Sequence, residues 1–213
     1  MAVKIPPASF VVFNTVKLPK GTALVRVHDP IFSGAEANPC KGGASRFAPI
    51  ATPAGDCVPT LYAADDFEAA VHGSLFHQIP HKAKRKTIRL SSITSRSVSW
   101  LVTGVDLKLA MLNEPDLNLI NMSRKDLIDT APKHYSVTAR WAEAFHRADR
   151  DLAGLMWTSK RCDPRQAYVF FGDRLSSGAI TTTKRVDLAT SAHEVGEIRQ
   201  FGFRAGITIV LAL

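Results

Sequence analysis

Apolar and polar residues alternate through Ala23-Leu24-Val25-Arg26-Val27-His28, a period of two that predicts a strand. Ala23, Val25 and Val27 form one face, so Arg26 is fixed on a rigid element facing away from the more apolar side. Residues 60–64 predict a second short strand. Phe67, Ala70, Val71 and Leu75 then recur every three or four positions, the stripe of a helix that Asp65 or Asp66 can cap and that runs to about His77. Gly73 falls inside it, where glycine costs about 1 kcal/mol relative to alanine, and the pattern supplies no packing reason for it. Farther on, residues 87–93 and 98–109 are strand-like, and Ser123-Arg124-Lys125-Asp126 resembles a capping box. The strongest helix spans 136–149, where Val137, Trp141, Ala144, Phe145 and Ala148 share a face. Strand candidates at 154–159 and 167–171 flank Asp163-Pro164, and a helix over 192–201 precedes a buried strand over 207–213. Strands and helices without regular βαβ alternation predict an α+β fold.

Between Pro30 and Pro59, glycine and proline cluster in one long loop carrying Gly42-Gly43 and Arg46. Loops of that length inside a domain are mostly functional or disordered, and the loop reads as functional. The 213 residues suit one domain, 1–213, large enough to bury a core unaided. Cys40, Cys57 and Cys162 are odd in number and form no CxxC pair, so neither a disulfide framework nor a zinc site is predicted. The run Phe10-Val11-Val12-Phe13 is too short for a signal-peptide core and no segment is long and apolar enough to span a bilayer; a soluble cytoplasmic protein without membrane contact is expected.

A net charge of +8 favours anionic partners. The densest run, His81-Lys82-Ala83-Lys84-Arg85-Lys86, has no interleaved aromatics, and direct nucleic-acid binding is not expected. The glycine signatures of dinucleotide and P-loop sites and the GxSxG elbow are absent. His72, His77 and His81 are spaced by five and four with no carboxylate to complete a set, so no metal is expected. Two arginines on a strand and after a glycine pair suit the oxygens of a pyrophosphate, and Tyr62 could stack on a base. Taken alone, these residues support a soluble α+β domain that binds an anion.

Several blocks in consistent order from Gly21 to Arg174 resemble the RES-domain family. Gly21-Thr22-Ala23-Leu24-Val25-Arg26-Val27 is similar to its opening strand, Gly43-Ala44-Ser45-Arg46-Phe47-Ala48-Pro49 to G-x-x-R-F-x-P, and Pro59-Thr60-Leu61-Tyr62-Ala63-Ala64 to P-T-L-Y-A. Ala70 to His77 resembles A-L-x-E-x-x-F-H. Tyr135 to Ala142 resembles Y-x-x-T-R-x-W-A with Ala139 inserted, Gly154 to Ser159 resembles G-L-x-W-x-S, and Phe171-Gly172-Asp173-Arg174 resembles F-G-D-R.

The resemblance implies an ADP-ribosyltransferase-like mixed sheet core with flanking helices. It also implies an NAD-consuming toxin of a toxin–antitoxin pair, by NAD hydrolysis, phosphorolysis or ADP-ribose transfer. The implied partner is an antitoxin with a helix-turn-helix DNA-binding part, in a complex with room for a homo-oligomer. By position, Arg26 and Arg46 would hold the NAD phosphates, Tyr62 would pack on the nicotinamide side, and Ser159 would hydrogen-bond near the nicotinamide ribose or amide. The family glutamate falls at Gly73, so catalysis is expected to be impaired unless another acid, Glu36 or Asp66, reaches in. The alternative is a non-catalytic pseudoenzyme that binds NAD or a partner.

Overall fold

The computed structural model describes residues 4–9, 12–80 and 82–211, so Met1, Ala2, Val3, Phe10, Val11, His81, Ala212 and Leu213 lie outside the described residues. The strands are β1 (Thr15–Leu18), β2 (Ala23–His28), β3 (Ile50–Ala51), β4 (Cys57–Val58), β5 (Thr60–Ala64), β6 (Thr87–Arg89), β7 (Ser97–Thr103), β8 (Leu107–Met111), β9 (Leu152–Thr158), β10 (Gln166–Phe171), β11 (Ile180–Asp187) and β12 (Thr208–Val210). The α-helices are α1 (Phe67–Ser74), α2 (Leu90–Thr94), α3 (Glu114–Leu119), α4 (Arg124–Leu127), α5 (Tyr135–Ala148) and α6 (Ala192–Arg204). Eight strands form one mixed sheet in the order β1-β8-β9-β10-β5-β2-β7-β11, with β8 and β9 parallel and the other pairs antiparallel. This is the α+β architecture that the pattern predicts.

Both faces of the sheet are covered. On one face α5 packs Trp141 and Phe145 over Leu155, Val169 and Phe171. Also on the helical side, α1 and α6 pack Val71 and Ile198 with Val25, Ala64 and Val98. Alternate residues of the same strands, Leu24, Leu61, Leu101 and Phe170, fill a third cluster. Arg26 therefore does not face an open side: it is 6% exposed, because the Leu24 face of β2 is as covered as the Val25 face. Tyr62 and Ala64 lie on the same face of β5, yet Tyr62 packs with the α5 cluster and Ala64 with the α1 and α6 cluster. Tyr62 thus stands at the seam between the two helical layers.

Local chemistry explains most elements. Asp66 caps α1 by accepting from the Ala69 amide at 2.7 Å, while Asp65 accepts from the Gln166 amide at 2.9 Å. Helix α1 ends at Ser74, three residues short of the predicted His77. Ser123 accepts from the Asp126 amide and opens α4. At Gly154 a side chain would lie 2.2 Å from the Val169 carbonyl oxygen, so only glycine permits that approach of β9 to β10.

Four expectations are corrected. Residues 90–93 belong to helix α2, because the apolar Ile93 turns inward in an otherwise polar turn. The stretch 98–109 divides into β7 and β8, which turn away from each other and lie far apart in the sheet. The terminal strand shrinks to Thr208–Val210, is only partly buried, and pairs in parallel with β6 outside the main sheet. Cys40 and Cys57, 17 residues apart, form a disulfide with Cα atoms 6.1 Å apart, leaving Cys162 free. The β3–β4 hairpin, which sets Cys57 opposite Ala51, folds the long loop back on itself. No helix among the described residues is long and apolar enough to cross a membrane.

Candidate functional site

Strands β2 and β5 pair at Val25 and Ala64 and then part, and Thr60 pairs instead with Asn38 of the long loop. The opening between them is a cavity of about 240 Å³, lined by Arg26, His28, Thr60 and Tyr62 from the strands and by Gly43 and Ser45 from the loop. A sheet that splits at its centre and is roofed by a loop makes a cleft without removing any helix from the core.

The structure brings Arg26 and Tyr62 to this cavity, while Arg46 and Ser159 do not line it. Arg26 donates from Nη1 to the carbonyl oxygens of Gly34 at 2.9 Å and Glu36 at 2.6 Å, which ties the loop to β2. Burial draws its pKa down to about 10, against the opposing charge of Glu36. Neighbouring His28 is held neutral. Its Nδ1 lies 2.9 Å from the Asp29 carbonyl and its Nε2 2.9 Å from Ser99 Oγ, and burial lowers its pKa to about 4.

Tyr62 is the hinge post of the loop. Its hydroxyl accepts from the Phe47 amide at 2.9 Å and lies 3.1 Å from Ser45 Oγ, and burial raises its pKa to about 12. Arg46 stands between those two anchored residues, and its own carbonyl accepts from the Thr138 hydroxyl of α5. The Arg46 guanidinium lies over the Tyr135 ring, 5.8 Å from its centroid, and its Nε is buried with no hydrogen-bond partner. Burial lowers the Arg46 pKa, with Tyr135, Tyr62 and Asp129 opposing and Arg124 reinforcing the shift.

Ser159, just past β9, is buried; its amide donates to the Arg165 carbonyl at 2.7 Å, and its Oγ accepts from the Arg161 amide at 3.4 Å. Arg124 donates to the carbonyls of Thr158 at 3.1 Å and Ser159 at 3.3 Å. Lys160 donates to the carbonyl of Asp129 at 2.6 Å, and Arg161 Nη2 donates to the His77 carbonyl at 2.7 Å. The segment after β9 is therefore bonded to the chain after α1 at His77 and to the chain after α4 at Asp129.

Gly73 is exposed on the last turn of α1, and a Cβ built there meets nothing within 4 Å. The acids considered as substitutes are engaged elsewhere. Glu36 accepts from the Ser33 amide at 2.8 Å, Asp66 caps α1 and pairs with Arg165 at 2.7 Å, and Glu68 pairs with Arg204 at 2.9 Å. Among the described residues no group of three His, Cys, Asp or Glu is placed to hold a metal. His72 pairs with Glu68 at 3.9 Å, and the His77 ring bonds back to the Ser74 carbonyl.

The RES domain family model matches residues 23–190. The chain belongs to the RES domain family. Its fold is similar to that in a crystal structure of the M. tuberculosis MbcT–MbcA toxin–antitoxin complex, with a TM-score of 0.58 and 13% identity over 86% of this chain and 92% of that one. No curated protein matches the chain.

In this RES domain, Tyr135 lies under the Arg46 guanidinium, and sequence reasoning gave it no role. The Lys160-Arg161 pair directly after Ser159 likewise reads as an ordinary solvated turn until the chain at His77 is placed against it.

Proposed function

We propose that this RES domain is the toxin of a toxin–antitoxin pair whose chemistry is cleavage of the nicotinamide–ribose bond of NAD. Family membership across residues 23–190 carries the reading. The bond breaks through an oxocarbenium-like transition state in which NAD supplies its own leaving group. Such a site needs positioning and charge stabilisation more than a strong nucleophile. Arg46, with an unpartnered buried Nε, would take a phosphate oxygen, and Arg26 would hold the cavity loop in register beside it. The Tyr62 ring would pack on the nicotinamide side, and Ser159 would hydrogen-bond near the ribose or amide. No metal is required. The whole chain, 1–213, would act as one domain in the cytoplasm. Its partner would be an antitoxin with a helix-turn-helix part, in a complex compatible with a homo-oligomer.

Gly73 supports a second reading, a pseudoenzyme that binds NAD or its partner without turnover. Glycine has no carboxylate to stabilise the developing cation, and Glu36, Asp66 and Glu68 are engaged elsewhere. Nicotinamide release by the unaltered chain and by Gly73→Glu separates the two. The toxin reading expects little release from the former and a gain of about 10²–10³ from the latter, the range for one group that stabilises transition-state charge. Absence of release from both, with NAD still bound, would favour the pseudoenzyme; absence of NAD binding would overturn the toxin reading and leave only a pseudoenzyme that binds its partner.

A further inference from the structure

We infer that the Cys40–Cys57 disulfide is a thiol-exchange site, attacked at Cys57 by a low-molecular-weight thiol such as glutathione, and that its reduction loosens the rim of the cavity lined by Arg26 and Tyr62. Only the identity of the cavity's ligand depends on the proposed NAD reading.

The loop wall of the cavity is unevenly held. Cys40, Lys41, Gly42, Gly43 and Ser45 all line it. From Ser45 onward the loop is tied to the core. The Tyr62 hydroxyl meets Ser45 and Phe47, the Thr138 hydroxyl donates to the Arg46 carbonyl, and the Ala51 amide donates to Glu143 Oε1 at 3.0 Å. On the other side Asn38 pairs with Thr60 of β5. Between these anchors the turn is bonded mainly to itself: the Cys40 amide donates to the Asn38 carbonyl at 2.9 Å and the Lys41 amide to Asn38 Oδ1 at 2.7 Å. Among the described residues, no hydrogen bond or ion pair ties residues 39–44 to another element except at the Cys40 sulfur. The disulfide to Cys57 of β4 is thus what joins the exposed rim to the anchored half of the loop. Cys40 also holds a left-handed backbone, φ +59°, which a non-glycine residue keeps only where its surroundings enforce it.

The chemistry has a defined direction. Cys57 is exposed and Cys40 half-buried, so a thiolate from solvent meets the Cys57 sulfur first. Its attack forms a mixed disulfide at Cys57, breaks the Cys40–Cys57 bond and expels Cys40 as a thiolate, which takes a proton from water. A second thiolate cleaves the mixed disulfide, so two thiols become one disulfide and the protein gains two electrons; oxidised glutathione reverses both steps. The reduced Cys40 thiol has acceptors at hand, the Ile50 and Val58 carbonyls, each 3.7 Å from its sulfur. Cys162 does not compete. It packs with the α1 and α6 cluster, and burial together with Glu68 and Asp66 pushes its thiol up to about 11, which leaves little thiolate at neutral pH. Persistent disulfides are rare in a reducing cytoplasm, the compartment proposed above, and those that form there are mostly catalytic or redox-sensing. Exposed disulfides are also the labile ones.

The test equilibrates the full chain, purified under oxidising conditions, in glutathione redox buffers, quenches it with acid and maps it by mass spectrometry. The mixed disulfide should fall on Cys57. Finding it on Cys40 or Cys162, or finding three free thiols before any reductant is added, would overturn the site. On reduction, hydrogen exchange at the Cys40 and Lys41 amides should quicken roughly tenfold or more, a part of the stabilisation that a closure of this length brings, while the Phe47 amide bound to Tyr62 stays protected. Unchanged exchange at Cys40 and Lys41, or equal quickening at Phe47, would overturn the local loosening. Cys57→Ser should show the loosened rim without reductant, and Cys162→Ser should respond as the unaltered chain does; loss of the response in Cys162→Ser would overturn the assignment. The reduced unaltered chain, with native circular dichroism, takes the place of Cys57→Ser should that variant not fold. Calorimetry with NAD should give several-fold weaker binding in the reduced state. Equal NAD binding in both states would overturn control of the cavity. Absence of NAD binding in both, with exchange and loosening as expected, would remove NAD as the ligand and leave the thiol switch standing.

Discussion

Replacing Tyr62 with phenylalanine removes one oxygen and tests how the cavity loop is held. The hydroxyl accepts from the Phe47 amide at 2.9 Å and meets Ser45 Oγ at 3.1 Å. Ser45 keeps a second contact, 3.2 Å to the Ala48 carbonyl, so its loss is small. The Phe47 amide has no such alternative, and the Phe47 side chain is fully buried. An unsatisfied buried donor costs about 1–3 kcal/mol, and that range is the expected destabilisation of Tyr62→Phe. Packing of the ring against Trp157, with centroids 6.4 Å apart, should survive. Urea denaturation gives the stability change, and hydrogen exchange at the Phe47 amide gives its location. Exchange there should quicken more than in β9 or β10, and Arg46, directly between the released residues, should bind anions more weakly. Unchanged stability together with unchanged protection of the Phe47 amide would refute the hinge-post role.

Three further outcomes follow from other parts of the structure. Gly73→Glu should fold normally, since a Cβ there meets nothing within 4 Å; a helix-propensity gain of up to about 1 kcal/mol is opposed by a like-sized cost for an anion at a helix C-terminus, and a thermal melt shifted far downward would show that the space is not open. Cys57→Ser, or a dithiol reductant on the unaltered chain, should destabilise by about 3 kcal/mol through loss of a 17-residue closure, and equal denaturation midpoints would rule this out. His28 has a folded pKa of about 4 against 6.5 in the unfolded chain, with Arg26 and Arg185 disfavouring its charge and Asp29 favouring it. The unfolded chain alone takes up that proton between the two values, so stability present at pH 7 should fall as pH drops from about 6.5 towards 4, by up to about 3 kcal/mol; a His28→Gln variant that falls as steeply would count against it.

Much of this was legible in the chain, for reasons that are local. The alternation at residues 23–28 names β2 because every second residue packs on the same face, and the stripe at Phe67, Ala70 and Val71 names α1 because one helix face is buried. Strand β11 escaped notice: its Thr181-Thr182-Thr183-Lys184-Arg185 stretch is exposed at the sheet edge, where no apolar face is needed. The RES blocks survive reading because each combines a structural requirement with a polar residue, as Gly154 does by admitting the Val169 carbonyl close to β9.

Sequence alone determined the family, the α+β class and the main helices, and the family resemblance named Arg26, Arg46, Tyr62, Ser159 and Gly73 as the candidate site. Those follow from residue order and periodicity, which are properties of neighbours in the chain. Tertiary structure alone decided that β2 and β5 part to open a cleft, that Cys40 meets Cys57, and that Arg26 anchors the loop through carbonyls. It also decided that Arg161 reaches the His77 carbonyl, 84 positions away, and that Arg46 lies over the Tyr135 ring. Contacts of that span depend on how strands are ordered in the sheet, and strand order is set by the burial of all the layers together rather than by any one segment.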